Sequence, residues 1–145
     1  MTDVHSSETR SYNMSRIRSK NTKPELLVRK FLFKNGFRFR LNVKSLPGTP
    51  DIVLNKHNTI IFIHGCFWHG HSHCKYFVMP GTRMEWWLAK IGQNINRDNE
   101  CIERLKEMNW KVIVIWECEL KQDFREMTLS NLIKLLNPSS YLTII

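Results

Sequence analysis

No apolar run in this chain is long. The longest, Ile60–Ile63 and Val112–Trp116, fall far short of the roughly 18 residues a membrane span requires. The N-terminus lacks the apolar core of a secretory signal. Its serines and arginines (Ser6, Ser7, Arg10, Ser11, Ser15, Arg16, Arg18) resemble a transit peptide, and Asp3 and Glu8 count against that reading. A cytoplasmic protein is expected. The chain has no internal repeat and no low-complexity segment. Cysteine is sparse, at four in 145 residues, and thiols in a cytosolic chain favour metal ligation over disulfides. Acid is nearly missing from the first 50 positions, where Asp3, Glu8 and Glu25 face eleven Lys and Arg for a net +8. The remaining 95 residues hold eleven bases against ten acids, a net +1.

At 42% hydrophobic and 24% charged over 145 residues, the chain suits one globular domain and is too short for two ordinary ones. The one-sided positive charge suits a polyanion, nucleic acid first, because each neutralised phosphate releases counterions and adds affinity. A basic segment kept for solubility alone is the plainer alternative.

Residues 1–21 are polar and aperiodic and read as an arm, leaving 22–145 as a single domain. Thr22-Lys-Pro-Glu25 opens a helix through a capping box, with Pro24 in its first turn. Leu27 with Phe31 and Val28 with Leu32 share its buried side, and Asn35-Gly36 stops it. Phe37–Val43 alternates apolar and basic residues, a half-buried strand. Asp51–Leu54 and Thr59–His64 form a hairpin across Asn55–Asn58, and Gly65–Pro80 is a loop. Thr82–Asn109 reads as a long helix bent near Gly92, Lys111–Trp116 as a central strand, and Thr128–Leu136 as a last helix. This order predicts an α/β domain with a mixed sheet flanked by helices.

The sharpest local signal is Cys66-Phe-Trp-His69-Gly-His71-Ser-His73-Cys74, joined by Cys118 just after the Val112–Trp116 run. Three cysteines and one histidine are a usual ligand set for structural zinc, which closes a tetrahedron and leaves no position open for substrate. The histidine is either His71 or His73. Cys101 is left over as an ordinary thiol. Free thiols beside surface histidines are the plainer reading.

His64 and His69 remain unspent. Asp51 starts one hairpin strand after a proline and His64 ends the other, so both can reach one edge of the sheet. A Pro-Asp followed about a dozen residues later by acid-x-Lys marks many Mg²⁺-dependent DNA-cleaving enzymes; here Phe62-Ile63-His64 replaces the second half. Asp51 is then the sole motif carboxylate, and backbone carbonyls, Ile63 nearest, phosphate and water must complete the shell. His64 or His69 could serve as general base or acid, with Asp98 fixing the tautomer. Taken singly, each has a structural alternative: Asp51 and Glu25 as caps, Asp98 as a solvated helix acid. Phe67-Trp68 and the adjacent Trp86-Trp87 suit stacking on bases as well as packing.

Thr9-Arg-Ser11 with Asn13-Met14, Leu46-Pro-Gly-Thr-Pro-Asp51, Ile61–His69, Thr82-Arg83 with Trp87, Asn96-Arg-Asp98 and Ile115-Trp-Glu-Cys-Glu119 together closely resemble the very short patch repair (Vsr) DNA mismatch endonucleases. The likeness runs from about Asp3 to Leu120. It implies a restriction-endonuclease-like fold and a Mg²⁺-dependent nickase cutting 5′ of the T in T:G mismatches left by 5-methylcytosine deamination. On that resemblance Asp51 and the Ile63 carbonyl hold magnesium. Glu25 and His64 act through water, and His69 with Asp98 transfers the proton. Cys66, His71, Cys74 and Cys118 hold structural zinc. Phe67, Trp68 and Trp87 resemble the wedge beside the mismatch, and the arm with Met14 and Ile17 resembles the minor-groove clasp. The loop is one residue longer than the family's usual spacing, and His71 keeps that spacing from Cys66. The expected partner is duplex DNA carrying the mismatch, with other mismatch-repair proteins as further candidates, and the enzyme is expected to act as a monomer. The competitors are another restriction or structure-specific endonuclease, and a zinc-stabilised DNA-binding protein without catalysis. RNA binding has little support, since no RNA-binding motif is visible.

Overall fold

The computed structural model describes residues 21–137. All of the expected arm but Asn21 therefore lies outside the described residues, Met14 and Ile17 included, as does the tail 138–145.

Helix α1 (Lys23–Lys34) begins as its sequence dictates. The Thr22 hydroxyl accepts from the Glu25 N–H at 3.4 Å, and the Glu25 carboxylate accepts from the Thr22 N–H at 3.3 Å. These reciprocal bonds satisfy two of the donors a helix start leaves free. Val28 and Leu32 are fully buried beneath it.

Only Arg40–Leu41 of the expected strand over Phe37–Val43 pairs as strand β1, against β2 (Ile52–Leu54). Asn42 takes a left-handed backbone (φ 47°) and ends the ladder, although the Asn42 and Val43 N–H groups still reach the carbonyls of Asp51 and Pro50. Leu41, expected inward, is exposed. The hairpin holds: β2 runs antiparallel to β3 (Thr59–His64) with Ile52 opposite Ile61, turning through Asn55–His57. Helix α2 (Met84–Glu107) is unbroken across Gly92 and returns the chain to β4 (Lys111–Trp116), parallel to β3. A short 3-10 turn (Glu117–Leu120) and helix α3 (Arg125–Leu136) follow; α3 starts before the expected Thr128.

The sheet order β1-β2-β3-β4 corrects one expectation: among the described residues β4 is an end strand, not a central one. Its apolar run reflects helices on both faces rather than strands on both sides. Ile52, Leu54, Ile61, Ile63 and Ile115 pack against α1 and α3, whereas Val53, Ile60, Phe62, Val112 and Val114 pack against Leu105 and Ile102 of α2. A helix–sheet–helix sandwich thus buries both faces of β3, all six residues of it. No described helix is long and apolar enough to cross a membrane.

Candidate active site and metal cluster

An antiparallel hairpin brings the start of β2 and the end of β3 to one sheet edge, and the chemistry collects there. Continuing the register sets Pro50 opposite Ile63. Proline has no N–H to give, so the Asp51 side chain takes over the exchange: its Oδ2 accepts the Ile63 N–H at 2.7 Å. The Ile63 carbonyl is left without a donor from Pro50. Burial pushes the Asp51 carboxyl up to about 7 against the pull of the Ile63 N–H, and Glu25, which shares a side-chain hydrogen bond with it, raises it further. A buried carboxylate beside a second acid and a carbonyl that Pro50 cannot serve is an oxygen-donor set suited to a hard divalent cation.

His64 and His69 lie face to face, centroids 3.8 Å apart and planes 2° from parallel. Asp98, on α2, accepts from His69 Nδ1 at 2.6 Å. A carboxylate can only accept there, so Nδ1 carries the proton and Nε2 is the free nitrogen of neutral His69. His64 is buried, and its Nδ1 has no hydrogen-bond partner among the described residues. Burial pushes its pKa down to about 4, and the facing His69 lowers it further. Two stacked imidazoles cannot both hold charge cheaply, and burial settles that His64 is the neutral one. Asp51, Ile63, His64, His69 and Asp98 line one cleft of about 570 Å³, with Glu25 on its near wall.

The Cys66, Cys74 and Cys118 sulfurs and a nitrogen of His71 lie within 4.8 Å of one another. Tetrahedral zinc with bonds of about 2.3 Å sets its sulfurs roughly 3.8 Å apart, so the four fit that ion after a small contraction. His71 Nδ1 is 3.4 Å from the Cys118 sulfur, and the Cys118 N–H donates to the Cys66 sulfur at 3.4 Å. His73 is exposed, with a left-handed backbone (φ 55°), and is not in the cluster. All four cysteines are free, and burial pushes the Cys66 thiol well up. Burial raises the Cys118 thiol too, whereas at Cys74 hydrogen bonds outweigh desolvation and lower it; a cation would hold all three as thiolates.

Phe67, Trp68 and Trp87 pack together, with centroids 5.2–5.7 Å apart, and Trp86 meets Trp87 at 4.7 Å. Trp86 stays about half exposed under the Arg83 guanidinium. The sequence-predicted residues thus form three neighbouring groups, with Trp68 and His69 lining the same cleft.

Three further residues, Trp116, Asn94 and Gly70, position these groups. Trp116 stacks on His71 at 4.0 Å and turns its edge to His64 at 5.2 Å, so one ring touches both the thiol cluster and the histidine pair. Asn94 donates to the Trp68 carbonyl at 2.9 Å. Gly70 (φ 60°) seats the loop on α2, where an added Cβ would lie 2.6 Å from Ile95 Cδ1. The signal available was the Gly itself, between two candidate site histidines, His69 and His71. Gly70→Ala is expected to lower stability by about 1–3 kcal/mol through overpacking and a disfavoured backbone, read as a fall in Tm; an unchanged Tm would mean the loop does not sit on α2.

Residues 2–75 match the family described as DNA mismatch endonuclease Vsr. The chain is 53% identical over 121 residues to the type II nicking enzyme V.NmeAIP of Neisseria meningitidis, covering 83% of this chain and 86% of that one. It is 47% identical over 121 residues to the DNA mismatch endonuclease Vsr of Escherichia coli K12, covering 83% and 77%. Against the type II nicking enzyme V.XorIIP of Xanthomonas oryzae the figures are 48% over 120 residues, 83% and 88%. With half of its residues matched to the family and relatives well above 40% identical across most of it, the chain belongs to the Vsr family of DNA mismatch endonucleases.

Proposed function

We propose that the protein is a Mg²⁺-dependent endonuclease that nicks duplex DNA 5′ of the T in a T:G mismatch, acting as a cytoplasmic monomer. The observation that carries this reading is the cleft in which Asp51, the Ile63 carbonyl and the His64–His69–Asp98 group meet. Asp51 and the Ile63 carbonyl would hold magnesium, which when bound supplies a Lewis acid to the scissile phosphate and lowers the pKa of water. The same reading assigns Cys66, His71, Cys74 and Cys118 to structural zinc.

The chain's own residues do the rest. Asp98 holds His69 with Nε2 free, ready to move a proton to or from an oxygen at the cut phosphate. Neutral His64, stacked beside it, fixes its plane. Phe67, Trp68 and Trp87 wedge at the mismatch, because a mispaired step is cheaper to unstack than a paired one. Basic residues of the first 50 positions supply backbone affinity that is blind to sequence, with Met14 and Ile17 of the arm in the minor groove.

The test is nicking of end-labelled duplexes carrying one T:G mismatch or the matched T:A pair. Cleavage of the T strand alone, at the mismatch only, is expected. Equal cleavage of both duplexes would leave a nuclease without mismatch specificity, and binding with no cleavage would leave a zinc-stabilised DNA-binding protein. Asp98→Asn is expected to slow nicking about 10²–10⁴-fold, the range of a lost proton-transfer group, with DNA affinity unchanged. A normal rate in that variant would remove His69–Asp98 from the chemistry.

A further inference from the structure

Where the chain enters α1, three donors converge on one carboxylate oxygen. Glu25 Oε2 accepts from the Asn21 N–H at 2.7 Å, from the Thr22 N–H at 3.3 Å and from the Arg29 guanidinium at 3.3 Å. The other arm of the Arg29 fork donates to the Asn21 side-chain oxygen at 2.7 Å. A capping box needs only the Thr22–Glu25 pair; Arg29 and Asn21 are additional. The Arg29 side chain is 12% exposed and that of Glu25 10%. An ordinary i,i+4 pair on a helix surface is solvated and contributes little. This one is buried, at the cost of leaving Arg29 Nε without an acceptor among the described residues. Asp51 shares a side-chain hydrogen bond with the same carboxylate and lines the same cleft.

We propose that Arg29 is a positioning residue: its fork pins the Glu25 carboxylate against Asp51 and ties the point where the N-terminal arm joins the domain to the cation-holding cleft. The fork reads both ends at once, which lysine, a single point donor, cannot reproduce. Asn21 suits the junction because its left-handed backbone (φ 66°) is one that asparagine tolerates. An arm engaged on DNA would thereby bear on Asn21, and through Arg29 on the carboxylate beside the metal position. This inference rests on the reading of Asp51 as the magnesium ligand.

The test measures the Mg²⁺ concentration needed for half of the magnesium-induced rise in Tm, without DNA, beside single-turnover nicking. Arg29→Gln is expected to raise that concentration about tenfold or more, the usual effect of losing a group that orients a metal ligand, with nicking recovered at high Mg²⁺. Arg29→Lys should give an intermediate rise, and it carries the test if the Gln variant does not fold. A lower Tm with an unmoved Mg²⁺ midpoint in both variants would make Arg29 a helix-stabilising residue only and overturn the proposal. Asp51→Asn separates the two ideas. If it keeps the magnesium response, the parent reading fails; if it loses the response while the Arg29 variants keep theirs, only the Arg29 proposal fails.

Discussion

Asp51→Asn should abolish strand nicking, with a loss of about a thousandfold or more. One cation ligand at the scissile phosphate supplies several kcal/mol of charge stabilisation, and each 1.36 kcal/mol is tenfold in rate. The change is nearly isosteric and keeps an oxygen for the Ile63 N–H, so the fold should survive and mismatch binding should persist. The same variant has an unusual signature in stability. Asp51 titrates at about 7 in the folded chain against 3.8 unfolded, so the folded state binds the extra proton. Its contribution is complete below the unfolded value and is lost as pH rises through about 7. Without magnesium, wild-type stability therefore declines across that window, and the Asn variant is spared the decline. At pH 8 the metal-free variant should melt higher than metal-free wild type, and added Mg²⁺ should raise only the wild type. His64 works the other way: its folded value of about 4 lies below the ordinary 6.5, so stability falls as pH drops through that interval. In wild type the two slopes oppose one another between about pH 4 and 6.5; in the Asn variant the His64 slope stands alone. Thermal melts at pH 5, 6.5 and 8 measure this directly. A variant that nicks normally would remove Asp51 from the cation site.

Much of this arrangement was legible in the sequence because local rules set it. The Thr22–Glu25 box, the hairpin from Asp51 to His64 and the α2 span follow from caps, turns and periodicity, which need no knowledge of distant partners. The spacing of Cys66, Cys74 and Cys118 pointed to one cluster across a long loop. Where expectation failed, a single backbone state or a tertiary choice decided. The left-handed Asn42 truncates β1 although its apolar–basic alternation is clean. Burial of β4 by helices on both faces gives it the composition of a central strand at the end of the sheet. Composition cannot say which of His71 and His73 turns inward; the positive φ of His73 and the stacking of His71 on Trp116 do. Arg29 escaped notice for a similar reason. On a helical wheel it is one more basic residue, and only its distances to Asn21 and Glu25 separate it from its neighbours.

Stripping metal from the thiol cluster should have the second largest effect, and it should reach the active site. Structural zinc in small sites contributes on the order of 10 kcal/mol, comparable with the whole stability of a domain this size. The path to the histidines is short. His71 stacks on Trp116, Trp116 edges His64, and His64 stacks on His69. Cys66 lies three residues before His69 and is almost wholly buried, so the same loop carries a cluster thiol, Phe67, Trp68 and His69. Chelation, or Cys66→Ser, should therefore lower Tm sharply and cost nicking even where some fold remains, whereas Cys101→Ser, outside the cluster, should do neither. His73→Ala should leave zinc content unchanged and His71→Ala should deplete it. Elemental analysis of the purified chain, with melting curves before and after chelation, decides the matter. Metal-free protein with an unaltered Tm would mean that the three thiols are held by packing alone, and the loop would then need another source of order than zinc.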